Sequence, residues 1–115
     1  MLFRSATPEL RKQLKPLIKL RQEVGRIDTE VDGLKRQQVE LDQRAAATRA
    51  NLEALKKDPA AGSLRAKLNA RLDDFTKDGD RIGRKIVELQ SQRLEKKIAL
   101  EDLLQGLAFE APKKP

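Results

Sequence analysis

The stretch Lys57-Asp58-Pro59-Ala60-Ala61-Gly62-Ser63 halves the 115-residue chain, and its reading decides the fold. Pro59 biases Asp58 away from the α region and stops a helix arriving from the N-terminal side. Gly62 suits a left-handed turn, and Ser63 suits capping the first free N–H groups of a following helix. Alternatively, Asp58 caps and Pro59 opens that helix a turn earlier. Either way the connection is short, which makes the two segments it joins antiparallel neighbours.

Outward from this hinge, both flanks carry a heptad pattern. With Leu10 taken as position a, the a sites of the first arm are Leu10, Leu17, Val24, Val31, Gln38, Ala45 and Leu52. Its d sites are Gln13, Leu20, Ile27, Leu34, Leu41, Thr48 and Leu55. Eleven of these 14 are apolar, which favours a continuous seam over an irregular globular helix. In the second arm the d sites are Leu68, Phe75, Ile82, Leu89, Lys96 and Leu103. Its a sites are Arg65, Leu72, Gly79, Ile86, Arg93, Leu100 and Leu107. Folding at the hinge sets Phe75 opposite Ala45-Ala46-Ala47 and Gln38 near Gly83, so large side chains meet small ones.

The expected fold is therefore all-α: an antiparallel two-helix coiled-coil hairpin, a single domain over 1–115, dimerising into a four-helix arrangement. Thr7-Pro8-Glu9 reads as a helix start after loose residues 1–7. Helix 1 is expected over about 9–57 with a kink or short lead-in at Pro16, because proline cannot donate to the ladder. The turn covers 58–63 and helix 2 about 64–105. Gly106 is read as the C-cap of a frayed tail over 106–115 that ends in Pro112-Lys113-Lys114-Pro115. Gly79 and Gly83 each weaken a helix by about 1 kcal/mol, and Asp80 is able to cap a fresh start there. The phase of the heptads nevertheless carries through from Phe75 to Ile86, which favours one continuous helix.

Composition agrees with long helices rather than a wide core: 37% of residues are charged and 3% aromatic, with no Cys, His, Trp or Tyr. Without His or Cys there is no thiol nucleophile, no imidazole base and none of the common zinc, haem or iron–sulfur ligand sets, so no cofactor is expected and the protein reads as no enzyme. Asp74, Thr76, Asp78 and Gly79 match the first half of a calcium loop. Lys85 falls at the twelfth position, where a bidentate Glu belongs, and Arg81 at the eighth, so the stretch reads as solvated helix surface with Asp73/Lys77 and Asp80/Arg84 as turn-spaced pairs. Asp32/Arg36 and Glu40/Arg44 form similar pairs on the first arm.

Two groups of residues are left over. Leu14, Ile18, Val87, Leu94 and Ile98 lie off the seam, and this second apolar stripe points to another surface, either a second copy or an adjoining protein domain. Arg11, Lys12, Lys15, Lys19 and Arg21, together with Arg4, stand against Glu9 alone in residues 1–22 of a chain carrying a net charge of +7. Nucleic acid or an anionic surface is the alternative partner for that basic patch (residues 4–21).

Arg49-Ala50-Asn51-Leu52-Glu53-Ala54-Leu55 before the hinge, with Leu68-Asn69-Ala70-Arg71-Leu72 and Asp80-Arg81-Ile82 after it, resembles the C-terminal helical hairpin of bacterial mucoidy-inhibitor-like proteins over about residues 17–105. Members of that family carry a β-rich domain of unknown function upstream. This chain has no β-rich region, and it has Ala and Asp where more Glu and Gln would follow the turn. The resemblance implies an accessory hairpin, excised or stand-alone, with no active site to carry over. No run approaches the roughly 20 apolar residues needed to cross a bilayer. A full-length chain would be cytoplasmic, and a fragment of an exported protein would belong to the envelope.

Overall fold

The computed structural model describes residues 8–110, with side chains described as far as Leu107. Two helices, α1 (Pro8–Ala54) and α2 (Gly62–Glu110), are joined by a short turn that contains one 3-10 turn, Pro59–Ala61. The chain is an all-α hairpin, with no strand among the described residues. The expectations for residues 1–7 and for Pro112-Lys113-Lys114-Pro115 lie outside the described residues.

The hinge is built on Asp58. Its backbone is extended, and its carboxylate accepts from the Ala60 N–H at 2.9 Å while Pro59 opens the 3-10 turn. That turn runs straight into α2, so Gly62 is right-handed at φ −58° and ψ −45°. This corrects two expectations: Gly62 makes no left-handed turn, and Asp58 takes the capping role assigned to Ser63. The reversal happens earlier, where α1 tightens. Leu55 N–H reaches both Asn51 and Leu52 carbonyls, and Asp58 N–H reaches the Leu55 carbonyl at 3.1 Å. Helix α1 thus ends at Ala54 rather than Lys57, and α2 begins at Gly62 rather than Leu64.

Three other local signals are overridden. Helix α1 runs through Pro16 as one element, with Pro16 on an exposed face where water can serve the carbonyl its missing N–H leaves free. Helix α2 runs through Gly79 and Gly83 unbroken. It also continues past Gly106 to Glu110, and no described glycine has a positive φ, so Gly106 is interior rather than a cap. Leu107, a half-buried seam residue, gives the helix a reason to continue for another turn.

By its contacts the chain divides into two units, Val31–Glu88 and the pairing of Met1–Glu30 with Leu89–Pro115. In the first, the hinge unit, the buried side chains are Val31, Ala45, Thr48, Ala61, Ile82 and Ile86. Thr48, the only buried polar residue among those described, donates its hydroxyl to the Arg44 carbonyl at 2.8 Å and so leaves nothing unsatisfied. Phe75 is half-buried, while of the three alanines expected around it Ala45 alone is buried and Ala46 and Ala47 are exposed. Gln38 and Gly83 do meet: a Cβ on Gly83 would stand 3.5 Å from the Gln38 amide nitrogen. Arg65, a charged residue at a seam position, folds back to donate to the Leu55 carbonyl at 2.8 Å and to the Asp58 carbonyl. It thereby caps the C-terminal end of α1, where carbonyls have no helical partner.

In the second, the open-end unit, the buried side chains are Leu17, Ile27 and Leu89. Every seam position of α2 from Leu89 to Leu107 is buried or half-buried, whereas Leu10 and Gln13 of α1 are exposed. Half-burial is what two helices alone can give, since each has a single neighbour to pack against.

Candidate interaction surfaces

The open-end unit holds most of the residues singled out as interaction or basic sites. Two of its seam positions are cations, each met by an acid from the flank of α1. Arg93 grips Asp28 with two nitrogens, Nε to Oδ1 and Nη2 to Oδ2 at 3.4 Å, and Lys96 Nζ lies 2.7 Å from Glu23 Oε2. The hydrogen bond from Lys96 holds the Glu23 carboxyl below the usual carboxylate range, and the charges of Lys96, Lys19 and Arg26 add to that effect against the opposing pull of desolvation. The charges of Arg93 and Lys96 are therefore spent inside the hairpin. The other ion pairs run along a helix surface: Arg44 with Glu40 at 2.6 Å, Arg81 with Asp78 at 3.3 Å and Lys85 with Glu88 at 3.9 Å. Asp32/Arg36, Asp73/Lys77 and Asp80/Arg84 are not paired, so three of the four turn-spaced pairs expected from sequence do not form.

On the sides facing away from the seam, the unit displays two isoleucines. Ile18 on α1 and Ile98 on α2 are each 49% exposed. On a helix, a residue's surface neighbours are those three and four positions away. Around Ile98 these are Leu94, Glu95, Glu101 and Asp102, all exposed, with Leu94 at 60%. Around Ile18 they are Leu14, Lys15, Arg21 and Gln22, of which only Leu14 is half-buried. Arg11, Lys12 and Lys19 are exposed around Lys15 and extend the positive side of this patch. Among the described residues, none of these acids or cations makes an ion pair.

Leu14 and Ile18 lie within the basic patch on α1, and Leu94 and Ile98 lie among acids on α2. Val87, 63% exposed, belongs to the hinge unit, where it borders a polar hollow lined by Gln38, Gly79, Asp80, Gly83 and Arg84. Sequence reasoning passed over Glu95, Glu101 and Asp102. The signal was their spacing of three and four residues from Ile98, which counting net charge along a segment hides. Further toward the open end, Lys12, Gln13, Pro16, Asp102, Leu103, Gly106 and Leu107 line a hollow of about 330 Å³.

No protein family, curated protein or solved structure matches this chain. The likeness to mucoidy-inhibitor hairpins therefore rests on the residues that carry it. Among the described residues no three His, Cys, Asp or Glu side chains gather as a metal site, and no helix is long and apolar enough to cross a membrane.

Proposed function

We propose that the protein is a non-enzymatic interaction module, a coiled-coil hairpin that associates with further copies of itself through the open-end unit. The observation that carries this reading is the pair of exposed isoleucines, Ile18 and Ile98, facing away from a seam that is already occupied. A hairpin of two helices buries little apolar surface against the entropy of ordering its chain, so covering these residues adds stability it otherwise lacks. Sedimentation equilibrium from about 10 μM to about 1 mM, the range in which small interfaces assemble, tests it. A mean mass rising with concentration is the expected result, and a constant monomer mass overturns the reading.

A second reading has its own support. Arg11, Lys12, Lys15, Lys19 and Arg21 are exposed cations with no ion pair, on one end of α1. Such a patch attracts nucleic acid or an anionic surface, with a strong dependence on salt. Binding of mixed-sequence DNA at low salt that disappears when Arg11, Lys12 and Lys15 are all reversed to Glu favours this reading. An absence of binding at low salt dismisses it.

A further inference from the structure

Resting on the self-association proposed above, we infer that copies join through unlike faces, the Ile18 face of one chain seated on the Ile98 face of another, rather than like face on like face. The argument begins with charge. Three residues to either side of Ile98 stand Glu95 and Glu101, and three residues to either side of Ile18 stand Lys15 and Arg21. Seating Ile18 on Ile98 therefore brings both cations to both acids whichever way the two helices run past each other. Run antiparallel, Lys15 meets Glu101 and Arg21 meets Glu95. Run parallel, the partners exchange, and Leu14 falls beside Leu94. Asp102 adds a third negative charge to one face, and Arg11, Lys12 and Lys19 extend the other.

Like-with-like contacts fail the same test. Ile98 on Ile98 sets Glu95 and Glu101 against their own copies, and Ile18 on Ile18 does the same to Lys15 and Arg21. Juxtaposed like charges act against association, so the surface selects the unlike face. Lys12 of one face and Asp102 of the other line the same hollow, so the two faces adjoin on one chain. The unlike contact therefore either closes as a two-fold pair, each copy giving both faces, or runs on from copy to copy.

Two exposed substitutions test the arrangement, Ile18→Ser and Ile98→Ser, with circular dichroism confirming that each keeps the parent's helicity. Each face is half of the same contact, so either variant alone is expected to associate at least about tenfold more weakly than the parent, as removal of a central anchor does. Mixed in equal amounts, the two variants are expected to pair through the intact Ile98 face of one and the intact Ile18 face of the other. The mixture then associates more tightly than either variant alone. An Ile18→Ser protein that associates as well as the parent, with no gain on mixing, means a like-with-like contact through Ile98 and overturns the pairing of unlike faces while leaving self-association standing. A parent that stays monomeric instead removes the reading on which the inference rests. If that monomer binds DNA at low salt, the basic face belongs to a polyanion.

Discussion

The hinge unit and the open-end unit share one heptad pattern, yet different forces close them. In residues 31–88 the buried set is mainly aliphatic, with Val31, Ile82 and Ile86 beside small Ala45, Thr48 and Ala61. In the open-end unit two α2 seam positions are Arg93 and Lys96, which reach sideways to Asp28 and Glu23. Apolar contact gains from being dry and indifferent to salt. An ion pair that is a fifth to a half exposed gains little and loses it as ionic strength rises. The same heptad can thus hold two segments together firmly in one place and conditionally in another, and the conditional segment is the one that displays the isoleucine faces.

The largest expected effect breaks the hinge unit. Ile82→Ala removes a side chain that is only 7% exposed, and it should cost about 2–5 kcal/mol in chemical denaturation. A loss below about 1 kcal/mol would mean that Ile82 is not part of a closed core. Next comes Arg65→Met, which keeps the aliphatic stem but strips the carbonyls of Leu55 and Asp58 of a charged donor. A loss of about 1–2 kcal/mol is expected, with amide exchange fastest around the turn. Gly79→Ala should move stability the other way by roughly 1 kcal/mol, because the added Cβ meets nothing within 4 Å and the helix gains propensity. A destabilised Gly79→Ala protein would show that the glycine serves close packing.

The smallest effect sharpens the contrast by pH. Glu23 is held charged below the ordinary carboxylate range by Lys96, so its folded pKa lies under its unfolded one. Its contribution is complete above the unfolded value of about 4.3 and is lost as pH falls through the folded value. Amide exchange in α2 around Lys96 should therefore quicken in acid in the parent and much less so in Glu23→Gln. Acid sensitivity of equal size in both proteins would remove Glu23 as its cause.

What sequence made legible was whatever repeats or sits close along the chain. The heptads of Leu17, Ile27, Ile82 and Leu89 announce the seam, and Asp58-Pro59 announces the turn. The alternative in which Asp58 caps is the one the structure takes. Gly62 and Gly106 misled because each signals a local preference of about 1 kcal/mol, which a seam running past it can outweigh. The partners of Arg65, Arg93 and Lys96 lie 10, 65 and 73 residues away, so nothing local distinguishes these cations from defects in the pattern. Nor could a residue count separate Ile18 from Ile98. The difference between them is which charges surround each, and that requires placing every side chain on its helix.

Those sequence separations also dictate an order of events in time. Closing a loop costs entropy that grows with the logarithm of its length. Joining Lys96 to Glu23 from the open chain is therefore about 2 kcal/mol more costly than joining Arg65 to Leu55. Once Arg65 has fastened the turn, each later contact encloses only a few new residues, so the helices zip from hinge to tips and the Glu23–Lys96 clasp closes last. A chain leaving the ribosome must extrude all of α1 before the second turn of α2, and with it Arg65, exists. Until then the seam of α1 is bare, and in that interval a neighbouring chain's α2 is a competing partner for it, which would give a hairpin exchanged between two molecules.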